Sequence, residues 1–205
     1  MKRIVYDLGH IMFFVLFKLF FGYKVIGSEN IPKKGPVIFA SNHGSFLDPP
    51  LVGAGIWRRV NYAARESLFS SWWKSFILKE WGSIPISRDR LDKATLKSLL
   101  APLKKGEILT IFPEGTRSPD ENLLPAKPGI GMIVSMAKCP VIPVYINGNW
   151  RTLGKVHKKL RMVPISVTFG EPMIFEKVEG ESGHDHYQRI TDEIMAGIEK
   201  LKKGV

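Results

Sequence analysis

The chain has one cysteine, Cys139, among 205 residues, and no long uninterrupted apolar run. A single cysteine excludes an internal disulfide and favours a reducing compartment. The most apolar stretch, Ile11 to Phe21, is interrupted by Lys18 and is shorter than the roughly 20 residues that a membrane-spanning helix needs. The sequence also contains no internal repeat and no low-complexity linker. These absences exclude a disulfide scaffold and a repeat array, and they favour one domain with one core.

Acidic residues are scarce relative to basic ones. The sequence has 19 Asp and Glu against 30 Lys and Arg, a net charge of +11. This imbalance predicts an acidic partner, such as a phosphorylated substrate, an anionic membrane or an acidic carrier protein. The basic residues are scattered and no nucleic-acid-binding motif is present, which argues against DNA or RNA.

The N-terminal segment is apolar on nearly every side. We predict that residues 1–21 form a membrane-associated amphipathic helix and that residues 22–205 form the main domain. One stripe of this helix is expected to pack on the domain, while its phenylalanine side enters a membrane surface with help from basic residues. A wholly buried helix is the alternative. A cleaved signal peptide is disfavoured because the run does not end in small residues. The stripe is Ile4, Leu8, Ile11, Val15 and Leu19; the phenylalanines are Phe13, Phe14, Phe17, Phe20 and Phe21; the basic residues are Lys2, Arg3 and Lys18.

Short apolar strands alternate with helical segments along the rest of the chain. This pattern predicts an α/β fold with a largely parallel central sheet flanked by helices. Two buried strands, at 37–42 and 107–112, lead directly into polar motifs, and a longer strand is expected at 161–170. Ligands bind at the carboxyl edge of such sheets. The two motifs are therefore predicted to meet there.

The first motif, NHGSFLD, places His43 five residues before Asp48. On a helix that spacing turns two side chains about 140° apart, so a joint action requires a loop, which Gly44 and Ser45 allow. Asp48 followed by Pro49 predicts an N-cap with proline at the first helical position. His43 could then act as a base that Asp48 orients. Since Ser45 is not in a G-x-S-x-G elbow, we expect a substrate hydroxyl to be the nucleophile, without a covalent enzyme intermediate.

Cationic residues follow other strands. Arg88, Arg117 and Lys127 could hold a phosphomonoester, and Glu114 is expected to orient a substrate hydroxyl or to support an arginine. A backbone amide near Gly44 or Gly115 is a candidate for stabilising an oxyanion. This chemistry requires no metal and no cofactor.

Four segments, NHGSFLD, SIPISR, FPEGTRS and VIPVYI, resemble in the same order the four blocks of glycerolipid acyltransferases of the 1-acylglycerol-3-phosphate acyltransferase type, across roughly residues 31–146. The resemblance implies that His43 and Asp48 are the catalytic pair. It also implies that Arg88, Glu114, Gly115 and Arg117 bind the phosphorylated glycerol acceptor, with Lys127 as the lysine that follows the third block. The fourth block would be structural or would line the acyl site. Ser87, where an aspartate is common, and Pro119 depart from the family pattern.

The resemblance further implies a reaction and a location. A fatty acyl group would move from acyl-CoA or acyl carrier protein to the sn-2 hydroxyl of 1-acylglycerol-3-phosphate (lysophosphatidic acid), giving phosphatidic acid for phospholipid synthesis. The enzyme would be a bacterial protein attached peripherally or monotopically to the cytoplasmic face of the cell membrane. The alternatives are transfer to glycerol 3-phosphate or another lysophospholipid, and a non-catalytic protein that binds anionic lipid.

Overall fold

The computed structural model of the chain describes residues 2–86, 92–156 and 159–204. Over these ranges the chain forms six α-helices and seven β-strands, which alternate except that β1 is followed by β2 and β6 by β7. The helices are α1 (Lys2–Phe21), α2 (Asp48–Ala54), α3 (Trp72–Glu80), α4 (Lys93–Lys104), α5 (Gly129–Ala137) and α6 (Gly183–Lys203). The strands are β1 (Lys24–Ile26), β2 (Val37–Ser41), β3 (Val60–Arg65), β4 (Ser83–Ile86), β5 (Ile108–Ile111), β6 (Val141–Asn147) and β7 (Ser166–Phe169).

The strands form one sheet in the order β1-β7-β6-β2-β5-β3-β4. Every neighbouring pair is parallel except β6 and β7. The prediction of a largely parallel α/β sheet is confirmed. The central strands β2 and β5 are buried along their whole length, as expected for parallel strands covered on both faces.

Alternating side chains of β2 enter two separate cores, one on each face of the sheet. Val37 and Phe39 pack with residues of α1 and α2, whereas Ile38 and Ala40 pack with residues of α4, α5 and α6. This follows from the two-residue period of a strand. Helices on both faces therefore hold the central strands in place, and residues at the carboxyl ends of these strands are positioned by well-packed elements.

The strand predicted at 161–170 is shorter than expected. β7 covers only Ser166–Phe169, because its antiparallel partner β6 pairs with those four residues and Pro164 has no N–H to donate to a ladder.

Helix α1 packs with the side opposite to the predicted one. Phe17 and Phe21 are buried in the core, while Leu8 is 63% and Leu19 is 72% exposed. Aromatic contacts explain why the phenylalanine side faces the domain, since large rings bury more surface than aliphatic side chains and pair favourably edge-on. The Phe13 ring packs edge-on against the Trp81 ring, with centroids 4.8 Å apart. The expectation that the aliphatic stripe packs on the domain is wrong, and so is the alternative of a wholly buried helix.

Two further features of α1 bear on its role. It packs against α2 and α3, and Phe17 belongs to the same core cluster as Tyr23 and Leu51. Within the described part of the chain, no helix combines the length and the apolar character that crossing a bilayer requires. The division of the chain after residue 21 stays a prediction.

A close approach between α5 and α6 provides a test of the fold. A Cβ atom on Gly131 would lie 1.9 Å from the backbone oxygen of Tyr187. Gly131→Ala must push the two helices apart, so we expect it to lower the free energy of unfolding by about 2 to 3 kcal/mol, measured by urea denaturation. Gly183→Ala, on the same pair of helices but facing open space, is the matched control and should be as stable as the wild type. Equal midpoints for the two variants would contradict the helix contact.

Candidate active site

The first and third sequence motifs meet at the carboxyl edge of the sheet. Because β2 and β5 are parallel neighbours, the loops that follow them start side by side. Two contacts join these loops: the His43 N–H donates to Glu114 Oε1 at 2.8 Å, and the Ser118 N–H donates to the His43 carbonyl oxygen at 2.7 Å. The backbone of His43 is thus held on both sides by the loop after β5.

His43 and Asp48 form a direct side-chain contact. His43 Nδ1 lies 2.7 Å from Asp48 Oδ2, and the Asp48 side chain is fully buried. A carboxylate can only accept, so Nδ1 donates its hydrogen and Nε2 keeps a lone pair that can take a proton. The ring also stacks on Phe112, with centroids 4.2 Å apart. The imidazole therefore has a fixed orientation and a fixed tautomer.

Asp48 is the first residue of α2 and does not cap it. The N-cap is Leu47, which makes no side-chain cap bond, and the Asp48 carboxylate instead accepts the N–H groups of Gly44 and Ser45 at 2.7 and 2.8 Å. The predicted N-cap is wrong for a physical reason. An aspartate cap accepts from the second or third helical N–H, but proline at position 50 has no N–H and the Leu51 N–H already donates to the Leu47 oxygen.

Glu114 is a buried carboxylate that binds backbone. It is 2% exposed; Oε1 accepts the His43 N–H, and Oε2 accepts the Leu124 N–H at 2.9 Å. Burial raises the pKa of the Glu114 carboxyl above its usual range, and these two donors oppose the shift. Glu114 therefore connects the first motif to an early and a later part of the loop between β5 and α5. Its predicted contact with a substrate stays a prediction.

Three of the predicted phosphate-binding residues lie in or beside this loop. The Arg117 guanidinium lies over the Phe46 ring, 3.6 Å from its centroid, which places it directly above the first motif. Gly115 has a φ of 64°, a left-handed conformation that glycine adopts at little cost. The exposed Lys127 packs its side chain against Gly115 and donates its N–H to the Pro113 oxygen at 2.8 Å.

Arg88 lies outside the described residues. Strand β4, which precedes it, ends at Ile86 and runs parallel to β3, so β4 also ends at the carboxyl edge of the sheet.

The two amides considered for an oxyanion are already used. The Gly44 N–H donates to Asp48 Oδ2, and the Gly115 N–H donates to the Phe112 oxygen at 2.9 Å. An oxyanion donor elsewhere near these two glycines stays a prediction.

Sequence reasoning missed one residue that contacts the predicted catalytic pair. Asn149 is 2% exposed and donates from Nδ2 to Asp48 Oδ1 at 2.9 Å. It lies beyond the four motifs, yet it follows β6, which pairs with β2 in parallel. The rule that drew attention to residues after β2 and β5 applies to this position as well.

The protein is thus an α/β protein whose site combines a histidine–aspartate pair with an arginine stacked on the same motif. A pair of this kind can take the proton of a bound hydroxyl. The family model described as Acyltransferase matches residues 22–147. The chain belongs to the acyltransferase family, and the resemblance noted from the motifs is confirmed.

Individual relatives support this assignment. The chain is 32% identical over 161 residues to the 1-acyl-sn-glycerol-3-phosphate acyltransferase of Bacillus subtilis, covering 78% of this chain and 77% of that protein. It is 32% identical over 151 residues to the human 1-acyl-sn-glycerol-3-phosphate acyltransferase beta, covering 69% of this chain and 53% of that protein. The crystal structure of the 1-acyl-sn-glycerophosphate (LPA) acyltransferase PlsC from Thermotoga maritima superposes with a TM-score of 0.79 at 28% identity, covering 98% of this chain and 81% of that one.

Proposed function

We propose that this protein is a 1-acylglycerol-3-phosphate O-acyltransferase, which transfers a fatty acyl group from a thioester to the sn-2 hydroxyl of lysophosphatidic acid and produces phosphatidic acid. The observation that carries the proposal is the partly exposed His43 held by the buried Asp48, with the Arg117 guanidinium stacked over Phe46, which lies between them in sequence. The names of the Bacillus and Thermotoga relatives support the choice of acceptor.

The chemistry follows from the tautomer of His43. Nε2 takes the proton of the sn-2 hydroxyl while the oxygen attacks the thioester carbonyl carbon. The new C–O bond forms, the C–S bond breaks, and the imidazolium returns the proton to the departing sulfur. Asp48 stabilises the transient positive charge on the ring through the Nδ1 hydrogen bond. No cofactor takes part beyond the acyl donor itself.

The acceptor is held by its phosphate in this proposal. Arg117 keeps its guanidinium plane fixed on Phe46, and a fixed planar fork suits the bidentate binding of phosphate oxygens. Arg88 and Lys127 are proposed to add charge to the same phosphate, and Gly115 lets the loop approach it closely.

The acyl donor is proposed to be acyl-CoA or acyl carrier protein, since both present the acyl group as a thioester. The net charge of +11 suits the approach of either acidic donor.

A panel of acceptors tests the proposal directly. Purified protein receives lysophosphatidic acid, glycerol 3-phosphate, a lysophospholipid with a larger head group or monoacylglycerol, each with acyl-CoA and with acyl carrier protein, and thiol release is followed. We expect lysophosphatidic acid to react fastest and monoacylglycerol, which lacks the phosphate, to react far more slowly. Fastest turnover with glycerol 3-phosphate, or lipid binding without thiol release, would overturn the assignment.

We also propose that the protein binds the surface of an anionic membrane, on the cytoplasmic face of a bacterial cell. The exposed side of α1 and the neighbouring helix α3 form what we term the apolar surface, and α1 and α3 contact each other. Exposed aromatic and aliphatic side chains next to each other are typical of helices that lie in a membrane interface. The apolar surface consists of Leu8, Ile11, Met12, Val15, Leu16, Leu19, Phe20, Trp72, Trp73, Phe76 and Ile77.

The two most exposed leucines of α1 give a prediction for membrane binding. Each fully buried leucine contributes about 1.5 to 3 kcal/mol, so Leu8→Ser combined with Leu19→Ser should weaken sedimentation with anionic liposomes at least roughly tenfold. Met136→Ser removes a half-exposed apolar side chain from α5 and serves as the control. If the double variant binds liposomes as well as this control does, α1 does not contact the membrane through its exposed side.

A further inference from the structure

A buried amide completes the surroundings of the catalytic aspartate. Asp48 Oδ2 accepts three donors, from His43 Nδ1, Gly44 N and Ser45 N. Among the described residues, Asn149 supplies the donor that reaches the other oxygen, Oδ1, at 2.9 Å. Buried polar atoms cost free energy unless they are hydrogen-bonded, so each oxygen of this carboxylate benefits from a donor.

The orientation of the Asn149 amide follows from its two partners. Asn149 Oδ1 accepts the Trp150 N–H at 2.8 Å, so Nδ2 faces Asp48. The reverse orientation would set an oxygen against the carboxylate and an NH₂ against an N–H, both repulsive. The amide group therefore has one orientation, in which Nδ2 donates to the aspartate.

Asn149 is itself fixed by a ring of hydrogen bonds that returns to Asp48. The Thr152 hydroxyl donates to the main-chain oxygen of Asn149 at 2.6 Å and lies 2.8 Å from the Ser45 hydroxyl. Ser45 in turn donates its N–H to Asp48. In addition, a Cβ on Gly44 would lie only 2.9 Å from Asn149 Oδ1, so the loop that carries His43 packs directly on this side chain.

From this geometry we propose that Asn149 is a positioning residue for the acyltransfer reaction: it fixes the plane of the Asp48 carboxylate and, through it, the tautomer and direction of the His43 ring. The proposal rests on the proposed function, in which His43 Nε2 takes the proton of the acceptor. With Asn149 absent, Oδ1 loses its donor while Oδ2 keeps its three, so the carboxylate is held at one oxygen only and can tilt about its Cβ–Cγ bond, which weakens the Nδ1 hydrogen bond that orients the imidazole. Small misplacements of a catalytic base cost a large part of its rate effect.

The kinetic test uses two variants of Asn149 with opposite properties. Asn149→Ala removes the amide, and we expect kcat to fall roughly tenfold to a hundredfold while KM for the acceptor changes little. Asn149→Asp keeps the volume and the acceptor for the Trp150 N–H, yet it places a second carboxylate against Asp48, so we expect an even larger loss. Asn147→Ala, at an exposed asparagine two residues earlier, should behave as the wild type. A role limited to packing would make the aspartate variant the milder one, which would overturn the proposal.

A second measurement separates positioning from folding. In an Asp48→Asn background, Asn149→Ala should lower kcat by no more than about twofold or threefold further, because residues that act as a unit are not additive. A full multiplicative loss would mean that Asn149 acts independently of Asp48. Thermal denaturation of each variant gives the folded fraction, and if Asn149→Asp does not fold, the alanine variant and this cycle decide.

A third measurement needs no substrate. The ¹⁵N–¹H spectrum of the His43 ring, assigned by comparison with a His43→Gln variant, should show hydrogen on Nδ1 alone in the wild type and a mixture of tautomers in Asn149→Ala. An unchanged spectrum overturns the proposal about Asn149 whatever the acceptor is. Absence of acyl transfer by the wild type, together with the expected spectral change, would instead overturn the proposed function alone.

Discussion

Replacing His43 with alanine is expected to lower kcat for acyl transfer by about 10² to 10⁴-fold, the usual contribution of a positioned general base. The ring is the group in the site whose free nitrogen can accept the hydroxyl proton, since Nδ1 is committed to Asp48. Alanine removes that nitrogen without removing a backbone contact, because the bonds to Glu114 and Ser118 involve the His43 main chain. Thiol release under saturating substrates measures the effect.

His184→Ala provides the control for this prediction. His184 lies near the start of α6 with its side chain 88% exposed, so its removal should leave kcat unchanged. Liposome binding by the His43 variant should also equal that of the wild type, because the apolar surface is intact. A loss of less than tenfold in the His43 variant would show that another group takes the proton.

Replacing Arg117 with alanine is expected to raise KM for a phosphorylated acceptor by about 100-fold, since hydrogen bonds to charged groups contribute about 1.5 to 3 kcal/mol each and a guanidinium can make two. Arg117→Lys should recover only a small part of this loss. Lysine keeps the charge, but it presents neither the planar fork nor the flat face that now stacks on Phe46. Initial rates over a range of acceptor concentrations give KM and kcat for each variant.

The acceptor without phosphate is the decisive comparison for Arg117. With monoacylglycerol, the alanine variant and the wild type should differ little, because the lost contacts are to phosphate oxygens. Arg161→Ala, at an exposed position before β7, controls for the loss of one positive charge. Equal losses with both acceptors would assign Arg117 to the structure of the loop and not to phosphate binding.

Much of the fold could be predicted because local pattern and global arrangement agree. Strands such as β2 are continuously apolar and are followed by polar motifs, so the sheet type and its functional edge follow from the sequence. The contact between His43 and Asp48 also followed, once their spacing excluded a plain helix. These features depend on neighbours in sequence and on one general rule about parallel sheets.

The predictions were wrong where several surfaces or donors of similar polarity were available to the same residue or helix. Helix α1 is apolar all round, so its periodicity could not tell that Phe17 enters the core while Leu19 remains outside; the arrangement depends on rings from distant segments, such as Trp81. The N-cap at Asp48 failed because the chain offered that carboxylate better donors in the preceding loop. Asn149 carries no sequence signal of its own, and its contact with Asp48 becomes apparent only when β6 is placed beside β2.

The packing of α1 on α2 has a mechanical implication. Helix α2 begins at Asp48, so the segment proposed to rest on lipid and the aspartate proposed to orient the base are joined through one packed interface. Because of this packing, the site of a membrane-bound molecule would not move independently of α1. Under the proposed membrane binding, this packing fixes the height of the imidazole above the bilayer, and a lysophospholipid would have to rise by a set distance for its hydroxyl to reach Nε2.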